Sequence, residues 1–258
     1  DNTVPVERFI RTFGTPDGGK YSPISVFIDE SDIPTMQQAT IHRAAAYYYT
    51  NAPEIPKRGF EPTRICAIPQ ANNNGRAVFN IPGKGLPYLA VFNNDPRKQN
   101  LMIGTVFHEL GHVIHYCEIG GASQFMEVEG LIRESFANYI GWHLGEKYYH
   151  KYMGYKRLWD DQDVTEQGKQ KWSKTSTSDF TPLFIDLEDD CNQSLLYGNL
   201  FPRDAIKDVP PSVIIEIGTQ SKNWAECKKR LQKYAGIYYS YYNLDKFTAD
   251  YDYWYSQR

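Results

Sequence analysis

Nowhere in the 258 residues is there an apolar run of about 18, the length needed to cross the hydrocarbon of a bilayer, so no membrane-spanning helix is expected. An excess of basic residues is also missing. Lys and Arg number 28 against 31 Asp and Glu, for a net charge of −3 and a pI near 6.1, so there is no cationic footprint and nucleic acid is not an expected partner. Cysteine is scarce: Cys66, Cys117, Cys191 and Cys227 allow three pairings, and none stands in CxxC or zinc-ribbon spacing. Cys191 and Cys227 could form a disulfide in a secreted protein or remain buried thiols. Internal repeats, low-complexity tracts and heptads are absent. The chain opens on Asp1-Asn2-Thr3-Val4-Pro5, without Met or a basic-then-apolar leader. It reads as a mature or trimmed product, for which an exported location is the expectation, whether periplasmic, surface-anchored or extracellular.

Tyrosine, by contrast, is abundant and clumped, as in Tyr47-Tyr48-Tyr49, Tyr238-Tyr239, Tyr241-Tyr242 and Tyr251 to Tyr255. Such clusters can stack on sugars or peptides, but a ring packed in a core with its hydroxyl at the edge is the simpler use. Ser22 to Asp29 alternates Ile24, Val26 and Ile28 on one face and predicts a strand. A helix is predicted from Pro34 to about Thr50, with Ile41, Ala44, Ala45 and Tyr48 on its apolar stripe. Three short strands follow, at Thr63 to Ile68, Arg76 to Ile81 and Pro87 to Asn93, separated by the turn-forming Asn72 to Gly75 and Pro82 to Gly85.

The segment Leu101 to His115 carries the chemistry. It contains His108-Glu109-Leu110-Gly111-His112, the HExxH pattern, inside an apolar helical run. Residues four apart share a helix face, so His108 and His112 can grip one metal ion while Glu109 stands beside it. A zinc ion with three protein ligands keeps a fourth position for water, whose proton a neighbouring carboxylate can take and pass to a leaving amine. Three fixed positions in five also arise by coincidence, with the histidines serving only as core residues, so a third ligand is the next thing to seek. After Gly120-Gly121 a second helix is predicted from about Glu127 to Tyr149. Glu134 follows His112 by 22 positions, room for a turn and a returning helix that brings its carboxylate over the metal. Glu118, Glu127 and Glu129 compete for that place, Glu129 most directly. His115 does not, because it lies seven residues from His108, about 10 Å along the axis, whereas zinc bonds are about 2 Å long. His115 and His143 read as cleft-lining or core histidines.

HELGH followed by Arg133-Glu134-Ser135-Phe136-Ala137-Asn138-Tyr139 resembles the gluzincins, zinc metallopeptidases with two HExxH histidines and a glutamate from a later helix. The resemblance covers Phe107 to about Trp142, and Leu183 to Gln193 is similar to segments of small exported bacterial members. Carried over position by position, it implies His108, His112 and Glu134 as ligands of one Zn2+, Glu109 as catalytic base, and Asn138 as a helper that orients a ligand. It also implies an oxyanion donor, for which Tyr197 in Ser194 to Gly198 stands at a family-like distance beyond Glu134. The GxMEN-like segment of gluzincin aminopeptidases is missing before His108, which favours an endopeptidase acting on peptides or proteins.

The expected architecture is α+β and zincin-like. Residues 1–118 would form an N-terminal subdomain with a small twisted sheet ending in the zinc helix, residues 119–258 a mainly helical C-terminal subdomain carrying the third ligand, and the cleft would lie between. The last strand is expected along the rim of the metal site, where an extended substrate could pair with it. From Gly145 to Phe180 the chain reads as a polar surface connection, and Ser221 as the N-cap of a helix over 223–234. Two other readings stay open. One is a zinc-stabilised binding module or inactive peptidase relative. The other is a deformylase-like amide hydrolase using Cys66, 42 positions before His108, although that family's other signatures are absent. Oligomeric state and substrate sequence are not legible.

Overall fold

A computed structural model describes residues 33–57, 64–68, 75–78, 88–92, 99–153, 180–190, 192, 194, 203 and 205–256. In chain order these form α1 (Ile33–Asn51), β1 (Arg64–Ile68), β2 (Gly75–Val78), β3 (Tyr88–Phe92), α2 (Gln99–Glu118), α3 (Ala122–Met126), α4 (Gly130–Met153), α5 (Pro211–Gln220), α6 (Trp224–Tyr234) and α7 (Tyr241–Ser256). The strand expected at Ser22 to Asp29, together with Cys191 and Tyr197, lies outside the described residues.

The expected α+β class with a twisted sheet is corrected to mainly helical. The strands span only four or five residues each, whereas α2 has 20 and α4 has 24, and the described core is built chiefly from helical side chains. The physical reason is length. The described strands are short, whereas the helical runs are long enough to bury continuous apolar stripes. Met102, Ile103, Val106, Phe107, Leu110, Val113 and Ile114 of α2 are fully buried, each contributing about 1.5–3 kcal/mol. They belong to one cluster with Ile41 and Tyr48 of α1, Ile132 and Phe136 of α4, Ile214 and Ile217 of α5, Leu231 of α6 and Phe247 of α7.

The three short strands pair in the order β1-β3-β2, β1 parallel to β3 and β2 antiparallel to it. The expectation that the last strand forms the rim is therefore wrong. β3 is central, with both edges already hydrogen-bonded, and β2 is an edge strand among the described residues. β2 and β3 both pack against α2, and α1 packs against β1.

At the end of α2, Gly120 and Gly121 take φ of 102° and 91°, a left-handed conformation that side chains resist, and this reverses the chain. The second site helix starts later than expected, at Gly130, because the short α3 and a turn through Glu127 intervene. It also runs past the expected end at about Tyr149, through Met153, and so takes in the first residues of the stretch read as a surface connection from Gly145, with Tyr148 and Tyr149 burying their side chains. Ser221 is not the cap of α6. Asn223 is, accepting from the Glu226 N–H, while Glu226 accepts in turn from the Lys222 N–H. Ser221 instead donates to the Ile217 carbonyl at the end of α5.

Tyr48, Tyr139, Tyr148, Tyr149 and Tyr251 are among the largest fully buried side chains, the packing use, whereas Tyr238, Tyr241, Tyr242 and Tyr253 are exposed. Cys117 and Cys227 are free thiols, and burial pushes Cys227 up to about 12, against the opposing hydrogen bond with Ser221. No helix among the described residues is long and apolar enough to cross a membrane.

α2 and α4 make the most intimate helix pair of the fold. A Cβ on Gly111 would stand 2.8 Å from Ala137 Cα and 3.1 Å from Ile140 Cβ, so the absence of a side chain sets how closely the helices approach. Gly111→Val is expected to destabilise the protein by about 1–3 kcal/mol through overpacking against backbone that cannot yield. A urea-unfolding midpoint equal to that of the wild type would contradict this.

Candidate metal centre

His108 and His112 sit one turn apart on α2, and the close approach at Gly111 brings α4 over them. Glu134, in the second turn of α4, points back at both. Glu134 Oε2 lies 3.4 Å from His108 Nε2, and Oε1 lies 3.5 Å from His112 Nε2. Ligand atoms of all three lie within 4.8 Å of one another, the one such group of His, Cys, Asp and Glu found among the described residues.

The separations suit a shared cation better than direct hydrogen bonds. A charge-assisted N–H to carboxylate bond is about 2.7–2.9 Å long. Two atoms bound tetrahedrally to one ion at about 2.0–2.1 Å stand about 3.3–3.4 Å apart. Two imidazoles and a carboxylate are also the donor set of a catalytic zinc site with an open position. The three residues therefore form a group of the kind that could hold a metal ion.

The surroundings prepare these ligands. His108 Nδ1 donates to Asn138 Oδ1 at 3.0 Å, which leaves the Nε2 lone pair facing the centre. Asn138 is placed to do this because it stands one turn beyond Glu134 on the same face of α4. Asn138→Ala is expected to weaken zinc binding about 10–100-fold, the usual effect of losing such an orienting bond. A chelator competition that returned the wild-type affinity would refute that assignment. Burial opposes charge on Glu134, yet the contacts from His108 and His112 outweigh it and hold the carboxyl well below the usual range. Burial likewise opposes charge on His112, and the Glu134 carboxylate outweighs it, raising His112 above its ordinary value. The metal-free site thus keeps its carboxylate ionised.

Glu109, beside His108, is only 5% exposed, and its Oε2 has no hydrogen-bond partner among the described residues. Leaving a buried carboxylate oxygen unsatisfied costs free energy, and such groups are tolerated mainly where a water or ligand completes them.

Of the residues singled out from the sequence, the structure brings His108, His112, Glu134 and Asn138 together, with Glu109 adjacent on α2. The placement of Tyr197 is outside the described residues. Of the competing acids, Glu127 binds Lys222 and Glu129 lies ahead of α4, and neither joins the ligand group. Cys66 lies within β1, paired with Ala90. His115 is fully buried with both ring nitrogens unpaired among the described residues, its ring meeting Phe125 and Phe136 edge-on. Burial, helped by His112 and Arg133, pushes it down to about 3, so it is a neutral core histidine.

The sequence reading overlooked two features. One is the glycine contact beneath the site, of which Gly111 inside the motif was the visible sign. The other is a second polar stripe on α4, Ser135, Tyr139 and His143, spaced four apart and adjacent to the stripe that carries Glu134 and Asn138. Comparison with known proteins finds no match among family models, curated proteins or solved structures.

Proposed function

We propose that the protein is a zinc-dependent peptidase, an endopeptidase in preference to an aminopeptidase. The observation that carries this reading is the convergence of His108, His112 and Glu134 around one point with the unpartnered Glu109 carboxylate beside it. His108, His112 and Glu134 would hold the ion, and zinc bound there supplies a Lewis acid that polarises a carbonyl and makes water more acidic. Glu109 takes the proton of the attacking water at its free oxygen and returns it to the leaving amine. Asn138 keeps His108 in the ligating tautomer. Tyr197 is the proposed donor to the oxyanion. An extended peptide would pair with β2, the edge strand packed against α2, rather than with β3.

Among the alternatives, a purely structural zinc site closes all four positions with protein groups. Three ligating residues converge among the described residues, and a fourth protein ligand would favour that alternative. The deformylase-like reading needs Cys66 as third ligand, and the convergence of Glu134 with the two histidines favours the carboxylate instead.

The test is zinc stoichiometry by elemental analysis together with cleavage-site profiling on a diverse peptide library, with and without a chelator. One zinc per chain and internal cleavages abolished by the chelator and restored by zinc are expected. Absence of zinc, or cleavage indifferent to the chelator, would overturn the proposal.

A further inference from the structure

Nine residues beyond Glu134 on α4, the His143 ring is held on both sides by acid. Its Nδ1 lies 2.8 Å from Glu188 Oε2, and its Nε2 lies 2.9 Å from Glu54 Oε1. The His143 side chain is only 1% exposed. A neutral imidazole has one N–H and could donate to one carboxylate only, turning a lone pair toward the other. The arrangement is satisfied when both nitrogens carry protons. Lys147, one turn on, donates to the same Glu54 oxygen, and the Tyr139 hydroxyl donates to Glu188 Oε2 at 2.6 Å. The two carboxylates are thus balanced by His143 and Lys147, and the charged set is neutral as a whole.

These residues join three parts of the chain that are distant in sequence. Glu54 lies in the turn after α1, His143, Lys147 and Tyr139 on α4, and Glu188 in the segment 181–190. The same segment is tied to α4 again where the Thr181 N–H donates to Ser135 Oγ at 2.8 Å. Ser135, Tyr139 and His143 form one stripe of α4, and Glu134 and Asn138 form the neighbouring stripe that faces α2. Because one rigid helix carries both, any turn or slide of α4 that loosens the first also moves the second.

We propose that His143, as an imidazolium clasped by Glu54 and Glu188, is a positioning residue that fixes the rotation of α4 and so the placement of Glu134 and Asn138 at the metal centre. The inference rests on the peptidase reading only for what the centre does, not for the clasp itself. A well-packed apolar set in the same place would hold the fold as well or better, since burying charge costs much of what pairing returns. Directional bonds to a charged ring add what apolar contact lacks, a defined angle for the helix.

The clasp also has a pH window. Burial opposes the charge on His143, but the bonds to Glu188 and Glu54 outweigh it and raise the group above its ordinary value. Its stabilising contribution is complete below the unfolded-state value of about 6.5 and is lost as pH rises through the raised folded value. The hydrogen bond from His143 holds Glu54 down to about 2, against burial and with help from Lys147. That contribution is present above the usual carboxylate range and is lost as pH falls toward 2. Glu188, Lys147 and Tyr139 are the other titratable groups facing the ring.

Two readouts test the clasp. In metal-free protein, amide hydrogen exchange over 134–141 is expected to quicken at least tenfold in His143→Gln, whereas quickening confined to residues next to 143 would overturn the proposal. In zinc-loaded protein, chelator competition near pH 7 is expected to show at least tenfold weaker binding for His143→Gln. That ratio should narrow as pH rises and the wild type loses its own proton; an unchanged affinity, or a ratio constant with pH, would overturn the proposal. If His143→Gln does not fold, the milder Glu54→Gln, at the more exposed end of the clasp, should show the same two effects at about threefold, and no effect in either readout would be decisive against it. Wild-type protein that binds no zinc would sink the peptidase reading while the exchange result still judges the clasp.

Discussion

Replacing Glu109 by Gln is expected to leave zinc content and melting behaviour near wild type while peptide turnover falls by about 10²–10⁴-fold, the range for losing a positioned general base. The asymmetry follows from where Glu109 stands. It is not among the three groups whose ligand atoms converge, so metal should remain. Its Oε2 has no partner among the described residues, so the amide breaks no hydrogen bond there and removes a charge from a buried position. Folding should therefore be preserved or slightly improved, a pattern common where a site holds an unsatisfied group for its chemistry. Turnover unchanged in kcat and KM would remove Glu109 from the mechanism, whereas loss of zinc would mean that it ligates rather than acts as base.

Glu134→Ala has the opposite profile. It deletes the group toward which both histidines point, at 3.4 and 3.5 Å, and leaves two imidazoles as the remaining grip. Zinc affinity should fall by more than the roughly 10–100-fold expected for an outer-shell residue such as Asn138, and turnover with it. The fold should survive, because Glu134 is partly exposed and contributes little to the core. Isothermal titration with zinc, run beside Glu129→Ala as control, decides the matter. Strong binding by Glu134→Ala together with loss in Glu129→Ala would transfer the ligand role to the competing acid.

How much of this was legible beforehand varied with the range of the signal. The HExxH helix was readable because its two periods coincide, four residues for the histidines and the helical repeat for Val106, Phe107, Leu110 and Val113. Glu134 was readable because a glycine turn and a returning helix leave a narrow interval for a third ligand. Asn138 and Tyr197 came from resemblance; Asn138 is hydrogen-bonded to His108, and Tyr197 lies outside the described residues. The class was misjudged because short alternating segments announce strands, whereas most of the described residues lie in helices. The order β1-β3-β2 was hidden for a related reason: which strand ends in the middle depends on long-range pairing, and no residue of β3 records it. The clasp around His143 shows the same limit. Its helix stripe could be read from spacing, but Glu54 and Glu188 are 89 and 45 positions away from it.

The bare glycine at the crossing of α2 and α4 bears on which ion the site would accept. Where two helices touch backbone to backbone, the jaw they form has almost no play, because no flexible side chain remains to slacken when a wider ion arrives. Calcium, at about 2.3–2.6 Å from its oxygens and asking for six to eight of them, would have to pry the helices apart. An ion of zinc's radius, content with four neighbours, would ask for no such prying, so selectivity would reside in a hydrogen atom at position 111 as much as in the ligands themselves.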